Sequence, residues 1–202
     1  EKEYHNMTGL IYEFMSNGSL KSFVKENKFD EINNDIYLLM TINRIYEGIK
    51  YLHDKSFVHR DLKPSNILIN HNNLAFISDF ETIRSVDSSD PFTAYVGSPL
   101  YTSPEQDESN IVSYPTDIYS FGLIIYYLYE KNNMWSCYSN KKDRIKQITK
   151  CPNAIKTLYE NCVQRLPENR IKTHEIRNAL NGCFNTFSYL EEYLNDEKRS
   201  IN

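Results

Sequence analysis

The chain has 202 residues, enough for one domain with a real core, and its apolar (40%) and charged (25%) fractions are those of an ordinary globular protein. A formal charge of −4 gives no basic surface on which to expect nucleic acid or an anionic membrane as the main partner. The longest apolar stretch, Phe121–Tyr129, has about half the length that a bilayer-spanning helix requires, so no membrane contact is expected from this segment.

In chain order, Gly9–Glu13 is a short β-like run, and Asn17-Gly18-Ser19 is a turn that can also start a helix. From Asp35 to Asp54, Leu38, Ile42, Ile45, Ile49 and Leu52 recur at helical spacing and predict one amphipathic helix. Ile67–Ile69 and Leu74–Ile77 flank Asn70-His71-Asn72-Asn73 and predict a small β-hairpin. Ser85 to Thr93 is polar without periodicity and reads as a loop. Thr116–Glu130 predicts a helix that is apolar nearly all round and therefore buried on every side. Shorter helical segments are expected near Asp143–Thr149, Ala154–Val163 and Thr173–Leu180, with a helix and a frayed polar tail over the last twenty residues. The four cysteines (Cys137, Cys151, Cys162, Cys183) lack metal-ligand spacing. They can pair as two disulfides or stay reduced. No signal peptide stands at Glu1, which favours reduced thiols and a cytoplasmic setting.

The segment richest in chemistry is His59-Arg60-Asp61-Leu62-Lys63-Pro64-Ser65-Asn66, with Asp79-Phe80 eighteen residues after Asp61. Transfer of a phosphoryl group from ATP to a hydroxyl asks a protein to align the hydroxyl, receive its proton and hold metal against the triphosphate. Asp61 has the chemistry to accept that proton, and Lys63 can neutralise charge growing on the transferred group. Asn66 and Asp79 offer oxygen ligands for Mg2+, and the hairpin between them folds the chain back so that they can meet. His5, His53, His71 and His174 show no ligand spacing and read as surface or core residues. The 16 tyrosines have no basic stripe beside them and read as core and interface, not as a stacking platform for nucleic acid.

These motifs resemble the catalytic loop and metal-binding motif of the eukaryotic protein kinase superfamily. The resemblance continues in order through Gly97-Ser98-Pro99-Leu100-Tyr101-Thr102-Ser103-Pro104-Glu105, Asp117-Ile118-Tyr119-Ser120-Phe121-Gly122 and Arg165-Leu166-Pro167-Glu168-Asn169-Arg170. It implies the C-terminal lobe of the kinase fold: α+β, mainly α, a helical bundle with a small catalytic-loop hairpin and with the N-lobe sheet largely absent. It divides the chain into the end of the N-lobe and hinge (1–18), the C-lobe (19–182) and a C-terminal helical extension (183–202). By the same resemblance the backbones of Glu13 and Met15 bond adenine, Ser19 lies near the ribose, Leu68 packs beneath the ring and Tyr12 is the gatekeeper. His59 packs behind Asp79-Phe80, Ser98 reaches Asp61 and Lys63, and Asp117 and the Glu105–Arg170 pair hold the catalytic loop and activation segment. Arg60 pairs with a phosphate on the activation segment. The partners implied are ATP, Mg2+ and a protein substrate.

Lys63-Pro64 resembles the serine/threonine type, while the Asn17-Gly18-Ser19-Leu20 hinge resembles tyrosine kinases and the tyrosine-kinase-like group. Together they point to a tyrosine-kinase-like serine/threonine kinase. Two departures bear on activity. Glu81 stands where the family has glycine, and about eight residues precede the hinge strand, with no glycine-rich phosphate loop or strand lysine. The isolated chain is therefore expected to bind ATP weakly, its top face awaiting an N-lobe or another partner. The alternative is a pseudokinase or kinase-fold interaction module. A small-molecule kinase is disfavoured by the Ser103-Pro104-Glu105 segment.

Overall fold

Ile42, Ile45, Tyr46 and Ile49 have no exposed surface. Their spacing gives one side of a helix a continuous apolar stripe, and the rest of the chain packs on it. The computed structural model describes residues 12–26, 34–86, 100–131 and 147–185. Within them the helices are α1 (Leu20–Lys25), α2 (Asn34–Asp54), α3 (Pro104–Ser109), α4 (Tyr114–Glu130), α5 (Asn153–Cys162) and α6 (Thr173–Asn185). Two antiparallel pairs supply the sheet: β1 (Phe57–Val58) with β4 (Arg84–Ser85), and β2 (Ile67–Ile69) with β3 (Ala75–Ile77). The architecture is the mainly helical α+β one expected of a kinase C-lobe, with little sheet.

α4 is the centre of the fold. Every residue from Thr116 to Glu130 is buried, as its all-round apolar sequence predicts. It starts on a capping box, in which Ser113 and Thr116 exchange side-chain and backbone hydrogen bonds, with Pro115 in the first turn. α2 and α5 pack against it, and α6 lies against α2 and α5. A methyl group at Gly122 would come within 2.7 Å of the Cys162 and Val163 side chains, so glycine is what lets α4 approach the C-terminal end of α5. Cys151, Cys162 and Cys183 are unbridged, and Cys137 lies outside the described residues.

The β2–β3 hairpin pairs Ile67 with Ile77, Leu68 with Phe76 and Ile69 with Ala75. Asn70 builds its turn by accepting from the N–H groups of Asn72 and Leu74 at 3.0 and 2.9 Å, and Asn73 takes the left-handed backbone that asparagine tolerates. The segment leading into α1 is tied to the same turn: Asn17 Nδ2 donates to the Asn70 carbonyl and to Asn73 Oδ1, and Ile69 N–H donates to the Gly18 carbonyl. Gly18 has φ +67°, which a side chain would strain.

Three sequence expectations need correction or limits. Residues 147–149 are not helical. The Thr149 and Lys150 N–H groups donate to Glu130 Oε1 at 2.6 and 3.1 Å, so a side chain takes the donors that a helix would use, and Pro152 discourages a helix just before it. Tyr12 and Glu13 are not in a strand, because among the described residues no strand lies beside them to complete a ladder. Residues 9–11, 143–146 and 186–202 lie outside the described residues, as does most of the Ser85–Thr93 loop; Ser85 itself lies in β4.

Candidate active site

The loop from His59 to Asn66 leaves β1 and is held from below by α4. Asp117 in the first turn of α4 is fully buried and accepts three N–H groups: His59 N at 2.9 Å, Arg60 N at 3.0 Å and His53 Nε2 at 3.0 Å. Arg60 takes a left-handed backbone (φ 73°), a conformation that costs a non-glycine residue on the order of 1–3 kcal/mol. Its bonds offset that cost. Its carbonyl accepts from Gln106 Nε2 at 3.1 Å, its Nε donates to the Thr82 carbonyl, and Thr82 Oγ1 donates to the His59 carbonyl at 2.7 Å.

This backbone presents Asp61, Lys63 and Asn66 to one another. Lys63 Nζ lies 2.5 Å from Asp61 Oδ2, and Asn66 Nδ2 donates to the Asp61 carbonyl at 3.0 Å and to Asp61 Oδ2 at 3.1 Å. With Nδ2 so engaged, Asn66 keeps its Oδ1 oxygen for a cation; Ser65 Oγ reaches it only at 3.5 Å. Ser78 donates both its N–H and its hydroxyl to the Asn66 carbonyl, at 2.9 and 3.0 Å, which brings the neighbouring Asp79 to the same end of the hairpin. Asp79 is exposed and left-handed (φ 64°, ψ 69°). His59 sits behind it, with Nε2 donating to the Ser78 carbonyl at 3.0 Å and its ring set edgewise to Phe80 at 5.8 Å.

Beside this cluster is a cavity of 590 Å3 lined by Tyr12, Glu13, Met15, Leu68, Phe76, Ile77, Ser78, Asp79, Phe80 and Glu81. The three residues expected at adenine, Glu13, Met15 and Leu68, therefore face one cavity, which Asp79 also lines. Ser19 does not line it; its hydroxyl accepts from Ser22 N at 3.2 Å and caps α1. Glu81 lies in a 3-10 turn without a left-handed backbone, so a side chain is accommodated there without strain. Burial, and then the neighbouring Arg84, push the Arg60 guanidinium below its usual range, with Asp117 opposing. Ser98 lies outside the described residues.

Arg170 uses all five of its N–H groups. They meet Glu105 Oε1 and Oε2 at 2.6 and 2.7 Å and the carbonyls of Pro115, Gln164 and Arg165. The guanidinium also lies 4.9 Å from the Tyr119 ring centre.

The family model for the protein kinase domain matches residues 2–184. The chain belongs to the eukaryotic protein kinase superfamily. This kinase chain is 34% identical over 188 residues to ephrin type-B receptor 2 of Gallus gallus, covering 85% of the chain and 18% of the receptor. It is 30% identical over 195 residues to mitogen-activated protein kinase kinase 1c of Physcomitrium patens (86% and 55%). It is 27% identical over 207 residues to a probable serine/threonine-protein kinase of Clostridium acetobutylicum (96% and 30%). The chain thus spans about a fifth of the length of the ephrin receptor. Among the described residues of the kinase chain, no helix is long and apolar enough to cross a membrane and no group of three or more His, Cys, Asp or Glu is placed to hold a metal ion. One residue that sequence reasoning left as surface or core has a definite place in the kinase loop's support: His53 is buried between Asp117 and Thr173. Its partners stand 64 and 120 residues away, and no local pattern marks them.

Proposed function

We propose that the chain is the C-lobe of an ATP- and Mg2+-dependent protein kinase that phosphorylates serine or threonine. The carrying observation is the cluster in which Lys63 and Asn66 both bond the Asp61 carboxylate at the hairpin end that also bears Asp79. In this reading Asp61 takes the proton of the substrate hydroxyl and Lys63 offsets charge on the transferred group. Asn66 Oδ1 and the Asp79 carboxylate, two hard oxygen donors, would hold Mg2+, which supplies charge neutralisation to the triphosphate. Adenine would enter the cavity over Leu68, against the backbones of Glu13 and Met15. Arg60, with Arg84 beside it, would meet a phosphate on the activation segment, with Ser98 near Asp61 and Lys63. Residues 1–18 then form the N-lobe end and hinge, 19–182 the C-lobe and 183–202 an extension, in a cytoplasmic protein. The serine/threonine assignment rests on Lys63-Pro64 after His59-Arg60-Asp61-Leu62.

The test is transfer of labelled phosphate from ATP by a chain in which a kinase N-lobe precedes Glu1, with serine, threonine and tyrosine peptides as acceptors. Mg2+-dependent label on serine and threonine is expected, with little turnover from residues 1–202 alone. Label confined to tyrosine overturns the specificity. Glu81 favours a second reading, an interaction module without transfer, which is upheld if ATP and Mg2+ raise the melting temperature but no label moves.

Glu81 also has a measurable consequence within the first reading. Its carboxylate stands two residues from Asp79 on the same cavity and attracts a divalent cation. Glu81→Gly should raise the Mg2+ concentration at half-maximal rate by roughly two- to fivefold, the effect of one exposed, screened charge. A titration with an unchanged midpoint would show that the carboxylate does not sense the metal.

A further inference from the structure

Thr173 and His53 form the outer half of a run of hydrogen bonds that ends on the loop carrying Asp61. Thr173 Oγ1 lies 2.7 Å from His53 Nδ1, and His53 Nε2 lies 3.0 Å from Asp117 Oδ2. Asp117 in turn accepts from the backbone N–H groups of His59 and Arg60. A carboxylate only accepts, so His53 must carry its hydrogen on Nε2. In the neutral ring Nδ1 is then the acceptor and the Thr173 hydroxyl its donor. The two ends of the ring are thereby fixed by α6 and by α4, while Tyr114 covers one face at a ring-centre distance of 4.7 Å.

The surroundings make the hydroxyl matter. His53 and Thr173 line a cavity of 430 Å3, bounded also by Pro115, Ile171 and Lys172. In a close-packed core, contacts alone would hold the ring. Here a ring that lost its Nδ1 partner would have open volume to turn into, and turning would carry Nε2–H off Asp117. Arg60 would then keep its left-handed backbone with one fewer restraint on the carboxylate that holds it.

We propose that Thr173 is a positioning residue for the catalytic loop, its hydroxyl locking the His53 ring against Asp117 and so steadying Arg60 beside Asp61. The effect on rate rests on the kinase reading above; the effect on the loop does not.

The test compares the full chain with Thr173→Val, which keeps the shape and loses the hydroxyl, and Thr173→Ser, which keeps the hydroxyl. Nitrogen NMR of labelled histidine should show His53 protonated on Nε2 in the unmodified chain and in Thr173→Ser, with that pattern lost or averaged in Thr173→Val. Amide exchange at His59 and Arg60 should quicken about tenfold in Thr173→Val and return to the original rate in Thr173→Ser. With an N-lobe present, kcat for Thr173→Val should fall about three- to tenfold, the span of one net hydrogen bond, with KM for ATP unchanged. Unchanged exchange at His59 and Arg60 in Thr173→Val overturns the proposal. So does a His53 ring that carries its hydrogen on Nδ1 in the unmodified chain, a result that needs no variant to fold. A protein that transfers no phosphate leaves the ring and exchange results standing, so the failure of the kinase reading and the failure of this one are distinct.

Discussion

Asp61→Asn is expected to lower phosphoryl transfer by roughly a hundred- to ten-thousand-fold, the range for loss of a positioned base. The substitution keeps the shape of the side chain and removes its charge. Asn66 Nδ2 retains the Asp61 carbonyl as a partner at 3.0 Å, so the loop has reason to stay folded. Lys63, whose ammonium lies against the carboxylate in the native chain, would face a neutral amide and gain freedom. The measurement is single-turnover transfer by a chain carrying both lobes, with the melting temperature as control. A rate within tenfold of the native one, at unchanged stability, would remove Asp61 from the chemistry.

The largest effect on stability is expected at Arg170. Its side chain is fully buried, and Glu105 is nearly so. Arg170→Leu leaves the Glu105 carboxylate and three backbone carbonyls without their donor and should cost about 3–5 kcal/mol, the penalty for stranding one member of a buried pair. Arg170→Lys should cost nearly as much, because an ammonium cannot place five N–H groups in a fork. Urea unfolding measures both; a lysine variant as stable as the native chain would show that charge, and not the fork, is what counts. The pair also carries a pH signature. Burial pushes the Glu105 carboxyl up, but the hydrogen bonds and charge of Arg170, together with Ser103 and the Glu105 backbone N–H, outweigh it, and the group lies below its ordinary value of 4.5. A carboxyl depressed on folding stabilises the native state above its unfolded value, and that stabilisation is lost as pH falls through the folded one. Stability contributed by Glu105 should therefore drain away below about pH 4.5. Glu105→Gln should remove that part of the acid dependence. Glu130, also depressed, keeps its own share.

The parts legible in the sequence were those whose cause is local. The apolar spacing of α2, the all-round apolar run of α4 and the asparagine turn between β2 and β3 each follow from residues within a few positions of one another. The loop residues could be named because His59–Asn66 and Asp79-Phe80 resemble the catalytic-loop and metal-binding motifs of protein kinases, residue for residue. What could not be read was set at a distance. The helical pattern near residue 149 gives way to Glu130, whose carboxylate captures the donors. α3 is too short to show a period, and Pro104 at its start is its main local sign. The left-handed backbone of Arg60 depends on Asp117, and Asp117's partner His53 comes from another helix.

The burial of α4 from Thr116 to Glu130 also bears on how this lobe is made. Its residues leave the ribosome well before α5 and α6, two of the helices that pack around it. At roughly 5–20 residues per second the delay lasts several seconds, during which a mostly apolar rod has, among the described elements that precede it, chiefly α2 and β1 for shelter. The nascent lobe should thus depend on chaperones most while residues 131–185 are being synthesised, and the helix that unifies the finished fold is its chief aggregation hazard until then.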